Sequence, residues 1–579
     1  MERLEAKKIN GRTYYYYSKW GWVDGRCRRL WQKYLGKLED MARAVEGGGP
    51  QPLYADIFQW GLPSVLWMEC CDSKVIEETD RLCPKREQGL SVGQYLAIAA
   101  VNRAISPRSK RCMWEWLSQT VLLRYIPQAS KAVLSSQRFW DHMDKIDAGA
   151  ALSIWKGILK GVVRSRDIDL SRVSYDGTNF YTFIATFNVR SSLAKRGKNK
   201  QGRSDLRQVS YALFCSADGH MPLYYDVYEG SRNDAKEFPL ILKRFHGFLK
   251  ELTEGADQSP ATTLIFDKGN NSEENFRLID SLNLSYVGSV KLDQHKDLAQ
   301  ISNKDTRFMP CLTTPIDGTK AFRVKKKVYG RERILVVTFN QNLFDTQWLT
   351  IHNDISKALE KLSTLRQRLE DRANGIIKGG KPPTKQSVEN QCKDTLSRQY
   401  MKLLIKTTIT QGSDGIPQLC YELDSDSLGE LADTCLGKNI IITDREDWDD
   451  ESIISAYRSQ FIIEEVFKEM KDRQTGSWWP LHHWTDSKIT VHGLYCSVAL
   501  LLRALVFRRV RQAGIPLSMP RLLSELDDIR EVVNIYPKKR GQTKNRTQTV
   551  LTHTSDLQNR IIEILGLRKD ENAVLVPYQ

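Results

Sequence analysis

The chain has 579 residues, 41% of them hydrophobic and 27% charged, and its 86 Lys and Arg face 70 Asp and Glu for a formal net charge of +16. That length bounds the fold at roughly two to four domains with a large core, and the basic balance points to a polyanionic partner, nucleic acid ahead of an anionic membrane. The eleven cysteines are scattered, with only Cys70 and Cys71 adjacent and no C-x-x-C pair, which excludes a disulfide framework and fits a reducing cytoplasm.

The opening MERLEAKKING is polar and charged, unlike a signal peptide. RTYYYYSKWGWV and RCRRLWQKYLG then flank Asp24-Gly25, so residues 1–50 read as a basic, aromatic β-hairpin. Its aromatic side chains either pack on one another or contact DNA. EGGGPQP (46–52) is a linker. Residues 53–165 read as a mainly helical DNA-binding region, with segments near 91–104, 110–120 and 136–165. Basic helices of this kind enter a DNA groove in some proteins and simply solvate their charges in many others.

From 166 the pattern turns to strands. VSYDGTNFYTF (173–183), LRQVSYALFC (206–215) and MPLYYDVYE (221–229) are strand-like, and the basic loop NVRSSLAKRGKNKQGRSD follows the first. A helix over 234–253, a strand over 262–267, a helix over 272–282 and a strand over 284–292 complete the order β-β-β-α-β-α-β. That order fits an α/β ribonuclease-H-like core, first part 166–299. Residues 300–435 interrupt it as an inserted α+β domain. There VKKKVYGRERILVVTFN (324–340) reads as a hairpin, and Ile355, Leu359, Leu362, Leu365 and Leu369 mark an amphipathic helix ending at Asn374-Gly375. LGKNIIITDRED (436–447) resumes the core, whose second part runs to 510, and 511–579 is a C-terminal helical region. LYCSVALLLRALVF (494–507) is short and carries Arg503, so it reads as a buried helix and no membrane span is expected.

Asp176 lies inside an apolar run and Asp267 ends one, IFDKG. A carboxylate in such a run needs a partner. Strands one and four of the expected sheet are neighbours, so the two acids can converge at a strand end. Hard oxygen ligands there suit magnesium or manganese. A third acid comes from SAYRSQFIIEEVFKEMKD (455–472), where Ile463, Val466, Phe467 and Met470 form the core face. At 100° per residue Glu464 flanks that face and Glu465 points away, while Tyr457, Gln460, Glu464 and Lys471 share one stripe.

These residues resemble the DDE transposases of prokaryotic insertion sequences, in the superfamily named after insertion sequence four. That group carries Y-x2-R-x3-E-x6-K around its glutamate. Tyr457, Glu464 and Lys471 match the spacing, and Gln460 stands in place of the arginine. YDGTNF, RGKNKQGRSDLRQV, GSRND (230–234), FDKG and PLHHWTDSKITVHG (480–493) are also similar to the family. The resemblance implies a catalytic triad of Asp176, Asp267 and Glu464 holding two Mg2+ or Mn2+ ions, with Tyr457, Gln460, Lys471 and Lys268 near the DNA phosphate. It further implies strand cleavage at transposon ends and transfer into target DNA, double-stranded terminal inverted repeats as partner, a homodimer that processes two ends, and a cytoplasmic, nucleoid-associated location.

The loop cations Lys195, Arg196, Lys198, Lys200 and Arg203 either contact the DNA backbone or stay solvated, and YPKKRGQTKNR (536–546) carries the same two readings. His482, His483 and His492 match no familiar zinc pattern, with Cys496 the one cysteine close by. The competing functions are a structure-selective nuclease on the same fold and a domesticated protein that only binds DNA. The intact acids argue against the second.

Overall fold

The tyrosine- and arginine-rich opening pairs as an antiparallel meander of β1 (Glu2–Ile9), β2 (Arg12–Val23) and β3 (Arg26–Gly36). The two strands of the expected hairpin are β2 and β3, and Glu2–Ile9 adds a third. Its turn is Asn10-Gly11, both at positive φ (46° and 76°), as a tight hairpin turn demands. The computed structural model describes every residue except 24, 47–50, 85–88, 254–261, 313–317, 413–414, 474–475, 477, 480, 539–541 and 568–579.

The chain divides into two units: residues 1–71, 108–139 and 509–579 form one, and 72–107 with 140–508 the other. The helical stretch expected over 53–165 is therefore shared between them. Besides the meander, the first unit holds a sheet of Tyr54–Gln59, Arg530–Tyr536 and Arg546–Leu551. The C-terminal region is thus part strand. In its middle strand the fully buried Glu531 takes an ion pair from Arg124.

The expected helix over 136–165 is two, Ser136–Met143, which spans the boundary between the units, and Ala148–Arg166 of the second unit, because Asp147 caps the latter by accepting from the Ala150 N–H at 2.7 Å. Then follow β4 (Arg172–Thr182), β5 (Lys195–Arg196), β6 (Arg207–Ser216), β7 (Pro222–Glu229), α1 (Asp234–Thr253), β8 (Thr263–Phe266), α2 (Glu273–Ser281) and β9 (Ser285–Val290). β4, β6 and β7 pair antiparallel, while β8 lies parallel between β4 and β9. β6 and β8 are covered on both faces, which is why their sequences are almost unbroken apolar runs.

The sheet extends through β10 (Met309–Pro310), β11 (Thr319–Val328) and β12 (Arg331–Asn340). Its order is β10-β11-β12-β15-β9-β8-β4-β6-β5, with β7 also on β6, where β15 is Lys438–Thr443. The hairpin expected within the inserted domain therefore belongs to the central sheet. The chain leaves that sheet at α3 (Gln341–Ala373) and returns at Lys438. In between, β13 (Ile405–Gln411) and β14 (Pro417–Leu423) pair, and a core forms from Ile351, Ile355, Leu362, Val388, Leu404 and Leu419. α4 (Asp450–Arg458), α5 (Phe461–Lys471) and α6 (Asp486–Gln512) follow β15. Among the described helices α6 alone has the length and composition to cross a membrane, yet 94% of its most apolar window is buried within the protein.

Candidate active site

β4 and β8 run parallel, with Tyr175 opposite Phe266 as the last pair. The next residues are Asp176 and Asp267, so two carboxylates leave neighbouring strands at one level, their backbones about 4.8 Å apart. β8 stops there because the chain turns through Lys268–Asn270. β4 continues, with Asp176 opposite Leu213 of β6, so this acid sits inside a paired strand.

Burial pushes the Asp176 carboxyl up to about 6; Lys200 and the Gly177 N–H work against the rise, and Asp234 and Asp267 add to it. The residue as a whole is only partly covered, so dense packing round the carboxyl causes the shift rather than complete removal from water. The Gly177 N–H donates to Asp176 at 2.7 Å. The Lys200 ammonium donates to the Gly177 carbonyl at 2.6 Å and stands 3.9 Å from Asp234, which accepts from the Tyr228 hydroxyl at 2.9 Å. Neighbouring carboxylates with one close lysine leave net negative charge, which favours an added cation.

The third acid lies on α5. Ile463, Val466, Phe467 and Met470 are 0–5% exposed and form its packed face, each worth about 1.5–3 kcal/mol of burial. Glu464 and Glu465 are both exposed. The expected single helix over 455–472 breaks between α4 and α5. The Ser459 hydroxyl bonds back to the Ala456 carbonyl, and Ile462 and Ile463 donate to carbonyls only three residues behind, a tightened turn at the joint. Ser459 and Gln460 keep right-handed helical angles through it. Gln460 is buried at the joint, 9% exposed, while Tyr457 ends up on α4. Burial raises the Tyr457 phenol, the neighbouring Ser289 and Asn439 side chains oppose this, and the charges of Asp267 and Glu464 both add to it. Tyr457 is thus within electrostatic reach of the second and third acids.

α5 is fastened to the strand that carries the first acid. Lys471 donates to the Thr178 hydroxyl at 2.6 Å, two residues beyond Asp176. Burial lowers the Lys471 ammonium, Lys200 lowers it further, and Asp176 offsets part of the shift. Arg473 bonds the Tyr181 hydroxyl, the Trp479 indole donates to the Tyr181 carbonyl at 2.9 Å, and Trp478 stacks on Phe180 at 4.7 Å. Behind α5, Glu469 pairs with the buried Arg503 of α6 at 3.2 Å.

The basic loop is tied to the sheet. Lys195 and Arg196 form β5, and Asn179 accepts from the Lys200 N–H at 3.2 Å, which ties the loop to β4. Arg196 bonds Thr186, Arg203 pairs with Asp205 at 3.0 Å, and Lys198 is exposed. Lys268 is exposed and lines, with Tyr457, a groove of about 880 Å³. Sequence reasoning did not anticipate Asp234, Tyr228 or Thr178 beside the acids. Asp234 lies in GSRND, which the sequence offers as part of the family resemblance without a role for its acid at the site. The histidines hold one another: the His492 Nε2 donates to the Trp478 carbonyl at 2.7 Å, and its Nδ1 lies 3.0 Å from the His483 Nε2.

Among the described residues no three His, Cys, Asp or Glu side chains are grouped as a metal centre. The Asp176–Asp267 pair fits a hard divalent ion by its oxygen donors and by the raised carboxyl of Asp176, while Glu464 is not gathered into a three-acid cluster.

The chain belongs to the family of transposase DDE domains, whose model matches residues 169–500, over half its length. That class implies transposase activity, DNA as the partner and a divalent metal ion as cofactor. No curated protein matches the chain.

Proposed function

We propose that the protein is an insertion-sequence transposase of the superfamily named after insertion sequence four, which cleaves DNA at the ends of its element and joins the freed 3′-hydroxyls to target DNA. In this reading β4, β6–β9 and the helices between them are a ribonuclease-H-like core, and residues 341–434 are the inserted domain. Asp176, Asp267 and Glu464 are the catalytic acids. The observation that carries the reading is the parallel register that sets Asp176 beside Asp267, with Tyr457 in reach of both Asp267 and Glu464.

Two Mg2+ or Mn2+ ions, when bound, activate the attacking water or hydroxyl and stabilise the leaving oxygen. Asp176 and Asp267 would hold such ions from the sheet, with Glu464 on α5 as the third acid. Lys200 and Lys471 balance charge at the reacting phosphate, and the Tyr457 hydroxyl orients it. Lys195, Arg196, Lys198, Arg203 and Lys268 bind the flanking backbone, while Gln460 supports the α4–α5 joint from within. Two element ends processed together call for a homodimer, working in the cytoplasm on nucleoid DNA.

The test is cleavage of duplexes taken from the DNA flanking the reading frame, in magnesium. Asp176→Ala is expected to cut below about 0.1% of the wild-type rate and to bind those duplexes within about threefold, because cations dominate backbone affinity. Cleavage at an ordinary rate, or binding lost as fully as cleavage, refutes the assignment.

A further inference from the structure

The amino-terminal meander has two unlike faces. On one, Glu5 accepts from the Trp20 indole at 2.6 Å and from Gln32 at 3.1 Å, Arg3 and Arg29 lie over Trp20, and Lys7 lies over Tyr16. Its cations are used internally. The register puts Lys8, Arg26, Arg28 and Lys33 on the other face, opposite Thr13, Val23, Gly21 and Tyr17. None of these four side chains has an ion-pair or hydrogen-bond partner among the described residues. Among the described residues the one acid there, Glu2, is already taken by the Tyr17 hydroxyl at 2.7 Å and by Lys19 at 3.3 Å. Between the free cations lie exposed Leu4, Tyr17, Leu30 and Trp31, 37–52% accessible, with the Tyr17 and Trp31 rings 5.6 Å apart.

An exposed aromatic pair ringed by unpaired cations selects a ligand with regular negative charge and flat apolar surfaces, and nucleic acid has both. The dimensions select the duplex. Three strands about 4.8 Å apart set the outer strands about 10 Å from each other, and the DNA major groove is about 12 Å wide. Lys8 stands on one outer strand, with Arg26, Arg28 and Lys33 on the other, so cations meet phosphates on both walls of the groove. β2, in the middle, faces the base edges.

We propose that this face of the meander is a docking surface for the major groove of duplex DNA. The proposal does not depend on which residues cut DNA, so it stands or falls separately from the assignment of the acids. The test uses the full chain and a mixed-sequence duplex of about 30 base pairs, with fluorescence anisotropy read between about 50 and 200 mM salt. Replacing Arg26, Arg28 and Lys33 together with Ala is expected to flatten the plot of log Kd against log salt by about two to three units, since each phosphate contact contributes about 0.9. The charge-preserving set Arg26→Lys, Arg28→Lys and Lys33→Arg restores the slope, which separates lost contacts from a lost fold. Lys7→Ala, on the internally paired face, leaves it unchanged. An unchanged slope in the Ala variant overturns the proposal, as does failure of the charge-preserving set. A changed oligomeric state in light scattering with the slope intact would assign the face to a second copy of the chain and also overturn it.

Discussion

Removing one partner of the Glu469–Arg503 pair should be far more damaging than removing both. Arg503 is 1% exposed and the Glu469 side chain 13%, with nitrogen and oxygen 3.2 Å apart. At an effective dielectric of 20 two unit charges at that separation attract by about 5 kcal/mol. Against this, burial raises the Glu469 carboxyl, and Arg503 only partly offsets the rise, so desolvation consumes most of the gain. Glu469→Leu leaves a guanidinium uncompensated inside the protein and is expected to cost about 3–5 kcal/mol. Glu469→Leu with Arg503→Met removes both charges and should return to within about 1–2 kcal/mol of the wild type, giving a coupling of several kcal/mol. Urea unfolding of the two singles and the double, followed by tryptophan fluorescence, measures the cycle. A Glu469→Leu variant that loses less than about 1 kcal/mol would refute the reasoning, because Arg503 would then have another way to satisfy its charge.

Gly476 is held at φ +68°, and a Cβ there would clash with Nη1 of Arg503; Gly476→Ala should cost about 2–4 kcal/mol from backbone strain and the displaced guanidinium, read as a lowered urea midpoint, and a neutral result would contradict the close approach of Arg503. Burial pushes the Lys438 ammonium down to about 8, and its Nζ donates to the Ala299 carbonyl at 2.9 Å. The lysine is charged in both states below that pH, and above it the unfolded chain binds more protons until about 10.4. Stability should therefore rise with pH between about 8 and 10, by at most about 3 kcal/mol. Lys438→Met should remove that rise, and urea midpoints that rise equally in both proteins would contradict the assignment.

Much of the core was legible because its chemistry repeats locally. Buried strands such as TLIF and YALFC are apolar on both faces, and the stripe of Ile463, Val466, Phe467 and Met470 has helical period, so element types followed from spacing, while Asp176 lies within its strand rather than at the end expected for it. Partners were less legible. The hairpin at 319–340 reads as two strands wherever it docks, and only tertiary pairing puts β12 against β15. β1 escaped notice because ERLEAKKI is polar, although Asn10-Gly11 is a strong hairpin signal. The joint at Ser459 turns on one hydroxyl and one carbonyl, too small a cue for a periodicity argument, yet it divides the expected helix in two, with Gln460 buried where they meet.

The order of the central sheet also carries a timetable. β15 is the last of its strands to be synthesised, yet it sits between two earlier ones, β9 and β12. Until residues 438–443 emerge, those strands face each other across an empty slot, each with a row of unpaired amides of the kind that invites pairing with another chain. Glu464 follows Asp267 by 197 residues, a delay of about 10–40 s at ordinary rates of synthesis. A growing chain therefore carries Asp176 and Asp267 well before Glu464, and the strand that fills the slot leads through α4 into α5, where Glu464 sits.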